Sequence, residues 1–117
     1  MTVYALKNKV TGKIYVGSTA NLHGRIYMHQ YSLNRKRRTV EQMQRDFDMY
    51  GWESFEIKIV GRYANWLDGK RMEKFYMQVL RTYDPAHGYN YKDRKAISPI
   101  VDKDRRQAIP MLSGDAI

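Results

Sequence analysis

The sequence predicts a small α+β domain in which helices flank a mostly antiparallel three-stranded sheet. Three observations carry this prediction. Two β-like runs, residues 3–7 and 13–17, enclose a turn cluster that closes on Gly12, as in a β-hairpin. Two stretches with apolar residues at helical spacing follow. A third β-like run and a third helical stretch complete the element order β-β-α-α-β-α.

The hairpin and the first helix are predicted from local signals. The strands VYALK and KIYVG are joined by the loop NKVTG at residues 8–12. Ser18 and Thr19 follow the second strand and are residue types that cap helix N-termini, which predicts a helix over about residues 20–33. The basic segment RKRR at 35–38 connects this helix to the next element.

The remaining elements follow from periodicity. A second helix is predicted over about residues 39–50 and ends at Gly51. Its apolar face contains Val40, Met43, Phe47 and Tyr50. Alternating apolar residues predict the third strand over 54–62, and the third helix is predicted over about 65–81, beginning near Asn65.

Length and charge indicate one basic domain with a tail. The 117 residues suit a single domain, which we assign to residues 1–92. Residues 93–117 contain two prolines, mixed charges and no sustained period, which predicts a linker or a weakly ordered end. The net charge of +9 favours a polyanionic partner, with nucleic acid ahead of an anionic membrane surface.

The composition also excludes several classes of protein. The sequence has no cysteine, which rules out disulfides and thiolate metal sites and is consistent with a reducing cytoplasm. No apolar run approaches the length of a membrane span, and no signal-peptide pattern is present. We therefore expect a cytoplasmic protein without a membrane partner.

On a helical wheel the first helix brings Arg25 and His29 to one side. Leu22, Ile26 and Leu33 define the apolar stripe, and His29 falls at its edge. Each polar residue alone has an ordinary structural explanation, as a boundary arginine or a hydrogen-bonded core histidine.

The third helix contains a carboxylate on its predicted buried face. That face is made of Trp66, Met72, Tyr76, Val79 and Leu80. Glu73 falls inside it, where a carboxylate is costly unless it is paired, hydrogen-bonded or bound to a metal. The neighbouring Lys70, Arg71 and Lys74 are expected to point mostly away. A structural ion pair with a distant arginine and a functional role both stay open.

Together these residues point to phosphodiester chemistry. The hairpin can place Tyr4 and Tyr15 on one side of the sheet, with Arg25 and His29 at its edge and Glu73 facing them. One carboxylate suffices for a hard divalent ion that keeps most of its waters. Arginine suits a phosphate oxyanion, and a phenol or imidazole can take a proton from water. This combination predicts hydrolysis with one metal ion.

The same residues, in this order, resemble the motif series of the GIY-YIG nuclease family. The first motif is Thr2-Val3-Tyr4, in which only the tyrosine is kept, and the second is Tyr15-Val16-Gly17. The later members of the series are Arg25, His29, Glu73 and Asn90. The resemblance covers about residues 2–91. It is closest to the catalytic domain of phage and intron-encoded homing endonucleases.

The resemblance implies a metal-dependent DNA endonuclease, expected in a bacterial or phage-infected cell. Glu73 would bind Mg²⁺ or Mn²⁺, and Arg25 would stabilise charge on the scissile phosphate. Tyr4 and Tyr15 would position or deprotonate the attacking water, and the choice between them stays open. His29 would relay that proton or protonate the leaving group.

Other residues would support the site or hold the DNA. Asn90 would be a supporting polar residue, and Gly17 would let the backbone turn closely beside the site. Predicted phosphate contacts are Lys13, Arg35, Lys36, Arg37 and Arg38. Sequence specificity is expected to be limited, unless the tail, a homodimer on DNA or a separate recognition partner supplies it.

Two other functions stay open on the sequence. One is a nuclease-like module that binds nucleic acid without chemistry, and the other is a structural or partner-binding domain.

Overall fold

A computed structural model of the protein describes residues 1–37 and 40–92. The tail at 93–117 and Arg38 of the basic segment lie outside the described residues. The observed elements are β1 (Thr2–Asn8), β2 (Ile14–Thr19), α1 (Leu22–Asn34), α2 (Glu41–Tyr50), a 3₁₀ turn (Trp52–Ser54), β3 (Phe55–Arg62) and α3 (Trp66–Val79). This order confirms the predicted α+β fold class.

The three strands form an antiparallel sheet with the order β2-β1-β3. In this register Tyr4 of the central strand lies between Gly17 of β2 and Ile59 of β3. The pairing of β1 with β3 shifts between Val3 and Tyr4. β1 has a neighbour on each side, and Val3, Tyr4, Ala5 and Leu6 of this strand are fully buried.

The outer edge of β2 is covered by the segment that follows α3. Ile14 pairs in parallel with Gly88, its N–H donates to the carbonyl of His87, and its carbonyl accepts from Tyr89 N–H. A Cβ on Gly88 would lie 2.3 Å from the Thr82 Cα, so only glycine allows the segment to approach this closely. The edge is thereby protected from pairing with another chain.

Alternation along the strands divides the core between the two faces of the sheet. One cluster packs α3 against the sheet and contains Val3, Ala5, Ile14, Val16, Met72, Tyr76 and Met77. The other packs α1 and α2 on the opposite side and contains Leu6, Leu33, Val40, Met43, Phe55 and Tyr89. Tyr4 lies between Val3 and Ala5 in β1 and therefore faces α1, which is where the first helix was expected to contribute functional residues.

The two N-cap predictions have different outcomes. Ser18 and Thr19 belong to β2, and α1 is capped instead by Asn21, whose side chain accepts from Gly24 N–H at 3.1 Å. The strand continues two residues beyond its predicted end because its pairing with β1 does, and the cap moves with it. Asn65 does cap α3, as predicted, and accepts from the backbone N–H three residues on.

The predicted buried face of α3 is only partly correct. Met72 and Tyr76 are buried, and burial raises the pKa of the Tyr76 phenol to about 12. Trp66 and Val79, at the two ends of the helix, are 61% and 40% exposed. A helical wheel shows the direction of each side chain but not its position along the helix axis, and only the middle of α3 packs on the sheet.

Candidate active site

Three aromatic side chains from two strands and one helix form a single cluster. The Tyr4 hydroxyl and His29 Nε2 are hydrogen-bonded at 2.7 Å, and both residues are buried. The ring of Tyr15 lies 5.0 Å from that of His29 and 6.3 Å from that of Tyr4, measured between centroids. The hairpin register and the helical position of His29 therefore bring together the phenols and the imidazole that the sequence singled out.

Gly17 is needed for space within this cluster. A Cβ at this position would lie 2.6 Å from the Tyr4 hydroxyl oxygen and 3.0 Å from Cε1 of Tyr15. Gly17 sits inside β2, directly opposite Tyr4, so the expected role in a backbone turn is wrong. The glycine instead lets the two phenol rings lie against the strand.

Replacing Gly17 with alanine is expected to lower the free energy of unfolding by about 1–3 kcal/mol, as overpacking does elsewhere. The nearest atoms belong to Tyr4, which is fully buried and hydrogen-bonded, so it cannot move aside without losing packing or that hydrogen bond. Urea unfolding at equilibrium measures the change. The control is Gly12→Asn. A Cβ added at Gly12 would have no atom within 4 Å, and asparagine adopts the φ of 77° found there more readily than most residues do. Equal stabilities of the two variants would contradict the steric role of Gly17.

Asn90 stabilises the strand that carries Tyr15. Its Oδ1 accepts from Val16 N–H at 2.8 Å, and its Nδ2 donates to the Val16 carbonyl at 3.1 Å. The side chain is buried and makes the two hydrogen bonds with Val16 that the backbone of a neighbouring strand would make. Asn90 therefore acts on the position of Tyr15 through the strand and does not line the cleft described next.

A cleft of about 510 Å³ opens between β2, the start of α1 and α3. Its lining residues are Tyr15, Arg25, Trp66, Lys70, Arg71, Glu73, Lys74 and Met77. Three predicted site residues, Tyr15, Arg25 and Glu73, thus share one cavity although they come from three elements. Tyr4 and His29 lie behind Tyr15 and do not line it.

The described residues give the cleft one carboxylate among several cations. Glu73 has 16% of its side chain exposed, and its carboxylate lies 3.5 Å from Lys70 Nζ. Within residues 1–37 and 40–92 the exposed guanidinium of Arg25 has no ion pair or hydrogen bond. This arrangement leaves a positive cleft that can receive phosphate.

The expectation that the cations of α3 point away from Glu73 is wrong. Lys70 precedes Glu73 by three residues, a spacing that places two side chains on the same side of a helix. Lys74 and Arg71 line the same cleft because it lies along the border of the buried face, within reach of their long side chains. Helical direction alone misses these residues, and the i, i+3 relation was the signal for Lys70.

A hydrated divalent cation fits the donor set. In the described part of the chain no group of three or more His, Cys, Asp or Glu side chains converges on a point. Among the described residues, Glu73 is the only acid that lines the cleft. One partly exposed carboxylate suits Mg²⁺ or Mn²⁺, which keep several waters and use few protein ligands when a substrate phosphate is also available.

Of the cations predicted to contact phosphate, those that the structure describes do not line the cleft, namely Lys13, Arg35, Lys36 and Arg37. Lys13 is hydrogen-bonded to a glutamine side chain of α2. Lys36 pairs with Asp48 at 2.8 Å, and that hydrogen bond lowers the pKa of the carboxyl. The guanidinium of Arg35 lies 4.9 Å from the ring centroid of Tyr31. Lys13 lies just before β2, and Arg35 and Lys36 lie just after α1, so a role in DNA binding requires DNA to extend beyond the cleft.

Comparison with known proteins agrees with this architecture. The family model described as the GIY-YIG catalytic domain matches residues 1–90. The catalytic domain of intron endonuclease I-TevI, solved as a mutant with one glutamate replaced by alanine, is 26% identical with a TM-score of 0.68. The match covers 78% of this chain and 94% of that one.

A second structure, described as the catalytic domain of homing endonuclease I-TevI, supports the fold alone. It is 24% identical with a TM-score of 0.66, and the match covers 76% of this chain and 96% of that one. A search of curated protein sequences found no match.

Proposed function

The chain belongs to the GIY-YIG catalytic domain family, and from this premise we propose that it is a DNA endonuclease that hydrolyses phosphodiester bonds with a divalent cation. The observation that carries the proposal is the shared cleft, in which a phenol, a guanidinium and a single carboxylate meet among cations. Each of these groups has a distinct use in phosphodiester hydrolysis, and their elements come together only in the folded domain.

The proposed roles follow from exposure. Arg25 binds the scissile phosphate, because its guanidinium is exposed and its donor fork matches phosphate oxygens. Tyr15 lines the cleft and orients the attacking water, whereas Tyr4 is fully buried and instead holds His29 through their hydrogen bond. The water oxygen forms a new bond to phosphorus as the bond to the leaving deoxyribose oxygen breaks; the water gives up one proton, and the leaving oxygen takes one up. Asn90 keeps Tyr15 in place through β2.

Glu73 is the proposed ligand for the cation. When bound, Mg²⁺ or Mn²⁺ supplies positive charge against the charge that develops on the phosphate. Lys70 lies close enough to Glu73 to hold its carboxylate toward the cleft.

The likeness to the catalytic domain of an intron endonuclease supports a mobile-element or phage role for this chain. A single cleft of this kind cuts one strand, so we propose that a double-strand break requires a homodimer on DNA or two successive cuts. Sequence specificity would come from that second copy, from the tail at 93–117 or from a separate recognition partner. No helix in the described ranges is long and apolar enough to span a membrane.

The principal rival is a module with this fold that binds nucleic acid without cleaving it. Glu73 counts against this rival, because a carboxylate that lines a phosphate-binding cleft weakens binding unless a cation occupies it. The cleft that Glu73 shares with Arg25 and Tyr15 supports hydrolysis over binding alone.

Incubation with supercoiled plasmid at low salt is expected to yield nicked circles in Mg²⁺ or Mn²⁺ and none in EDTA. Binding in EDTA is expected to fall by on the order of 100-fold between about 50 mM and about 200 mM salt, if about four cations contact phosphates. Gel electrophoresis and fluorescence anisotropy provide the two measurements. Salt-sensitive binding without cleavage in either metal would establish the binding module. Binding that is insensitive to salt would favour a structural or partner-binding domain.

A further inference from the structure

Trp66 is the most exposed large aromatic residue that lines the cleft. It is the first residue of α3, and 61% of its surface is accessible. Within residues 1–37 and 40–92 its indole has no hydrogen bond and no ring contact. The Asn65 cap anchors the backbone at the start of the helix. The exposed indole is thus presented to whatever occupies the cleft.

The surroundings of Trp66 indicate a polyanionic occupant. Lys70, Arg71 and Lys74 follow on the same helix and line the same cleft, and Arg25 faces them from α1. An aromatic ring among cations is the arrangement by which proteins hold unpaired nucleotides, because the cations track the phosphates while the ring stacks on a base. A fully paired duplex keeps its bases stacked on one another and offers the ring no free base face.

We propose that Trp66 stacks on an unpaired base next to the phosphate held by Arg25, so that the preferred substrate is DNA with a displaced base. This inference rests on the proposed function, since it takes DNA as the occupant of the cleft. It assigns a binding role to a residue outside the motif series. Leu67, the next residue in the chain, is 51% exposed and does not line the cleft, which makes it a matched control.

The first test measures binding in EDTA, where no cleavage occurs. The probes are a labelled duplex, the same duplex with a one-base bulge, and the single strand. Wild type is expected to prefer the bulged duplex and the single strand. Trp66→Ala is expected to weaken both by roughly ten-fold, the effect of removing a stacking ring, and to change duplex binding less than two-fold by the same principle. Trp66→Phe should keep most of the preference, and Leu67→Ala should match wild type.

The second test reads the indole directly. Trp52 is the other tryptophan, and its ring lies against Phe55, so Trp52→Phe leaves Trp66 as the sole indole. Its fluorescence is expected to be quenched strongly by the bulged duplex and weakly by the paired one. A purely structural role for Trp66 would not produce this difference.

The outcomes separate this inference from the proposed function. Equal losses on paired and bulged DNA, equal quenching by both, or no binding to any probe would overturn the stacking role. If Trp66→Ala selectively loses affinity for the bulged duplex and the single strand, and the bulged duplex selectively quenches the indole fluorescence, stacking is supported. If plasmid is not cleaved in that case, the endonuclease function is wrong. If the protein cleaves plasmid but Trp66→Ala binds all three probes as wild type does, the stacking role is wrong and the endonuclease function stands.

Discussion

Replacing Glu73 with glutamine is expected to lower the rate of plasmid nicking in Mg²⁺ by at least about 10³-fold, because the loss of a bound cation removes several kcal/mol of charge stabilisation. Glutamine preserves the size of the side chain and removes its charge. Since Glu73 is the only acid lining the cleft within residues 1–37 and 40–92, no other acid of these ranges can take over there as a ligand. The measurement is the initial rate of nicking as a function of the Mg²⁺ concentration.

DNA binding in EDTA distinguishes this result from misfolding. The cleft of Glu73→Gln has one negative charge fewer, so its affinity for DNA is expected to equal or exceed that of wild type. Glu53→Gln removes the same charge from an exposed site outside the cleft and should cleave as wild type does. If the Glu73→Gln variant nicks plasmid within about three-fold of the Glu53→Gln rate, well short of a ligand's contribution, the carboxylate is not the metal ligand.

The part of the site on β1, β2 and α1 was predictable because turn geometry and the helical period, which act over short stretches of sequence, determine it. The turn that closes on Gly12 sets the register of β1 and β2, and that register places Tyr4 opposite Gly17 with Tyr15 two residues away. The helical period then brings His29 over the phenols. The element order followed from the same local patterns.

The part of the site on α3 was harder to predict because it depends on which part of the helix packs on the sheet. Trp66 and Val79 belong to the apolar stripe by angle, but they extend past the part of α3 that packs. Lys70 was assigned to the solvent side, although its long side chain reaches the cleft from the border of the stripe. The exposure of Trp66 and Val79 cannot be read from a wheel, since it depends on how far along α3 the contact with the sheet extends.

The support from Asn90 depends on a long-range contact. Its side chain bonds the backbone of Val16, 74 residues away in sequence. The approach is possible because Gly88 lets the segment lie against Thr82 and Ile14. A motif marks Asn90 as notable, but only the folded chain shows that its partner is a strand backbone and not a substrate.

Replacing Arg25 with alanine is expected to slow cleavage by about 10²–10³-fold, the usual effect of removing a group that stabilises transition-state charge. Lysine at this position keeps the charge but not the forked donors, so Arg25→Lys should recover only part of the rate. Rates are measured on plasmid at saturating enzyme, so that weaker binding does not enter. Affinity is measured separately in EDTA and should fall much less than the rate, because the other cations of the cleft remain.

Arg45→Ala is the matched control, since Arg45 is exposed on α2 and lies outside the cleft. It removes the same charge and should leave the saturated rate unchanged. A transition-state role predicts that Arg25→Ala loses rate far more than affinity, whereas a simple phosphate contact predicts the reverse. If both quantities fall equally for Arg25→Ala and Arg45→Ala, the effect is one of net charge, and Arg25 has no special place in the reaction.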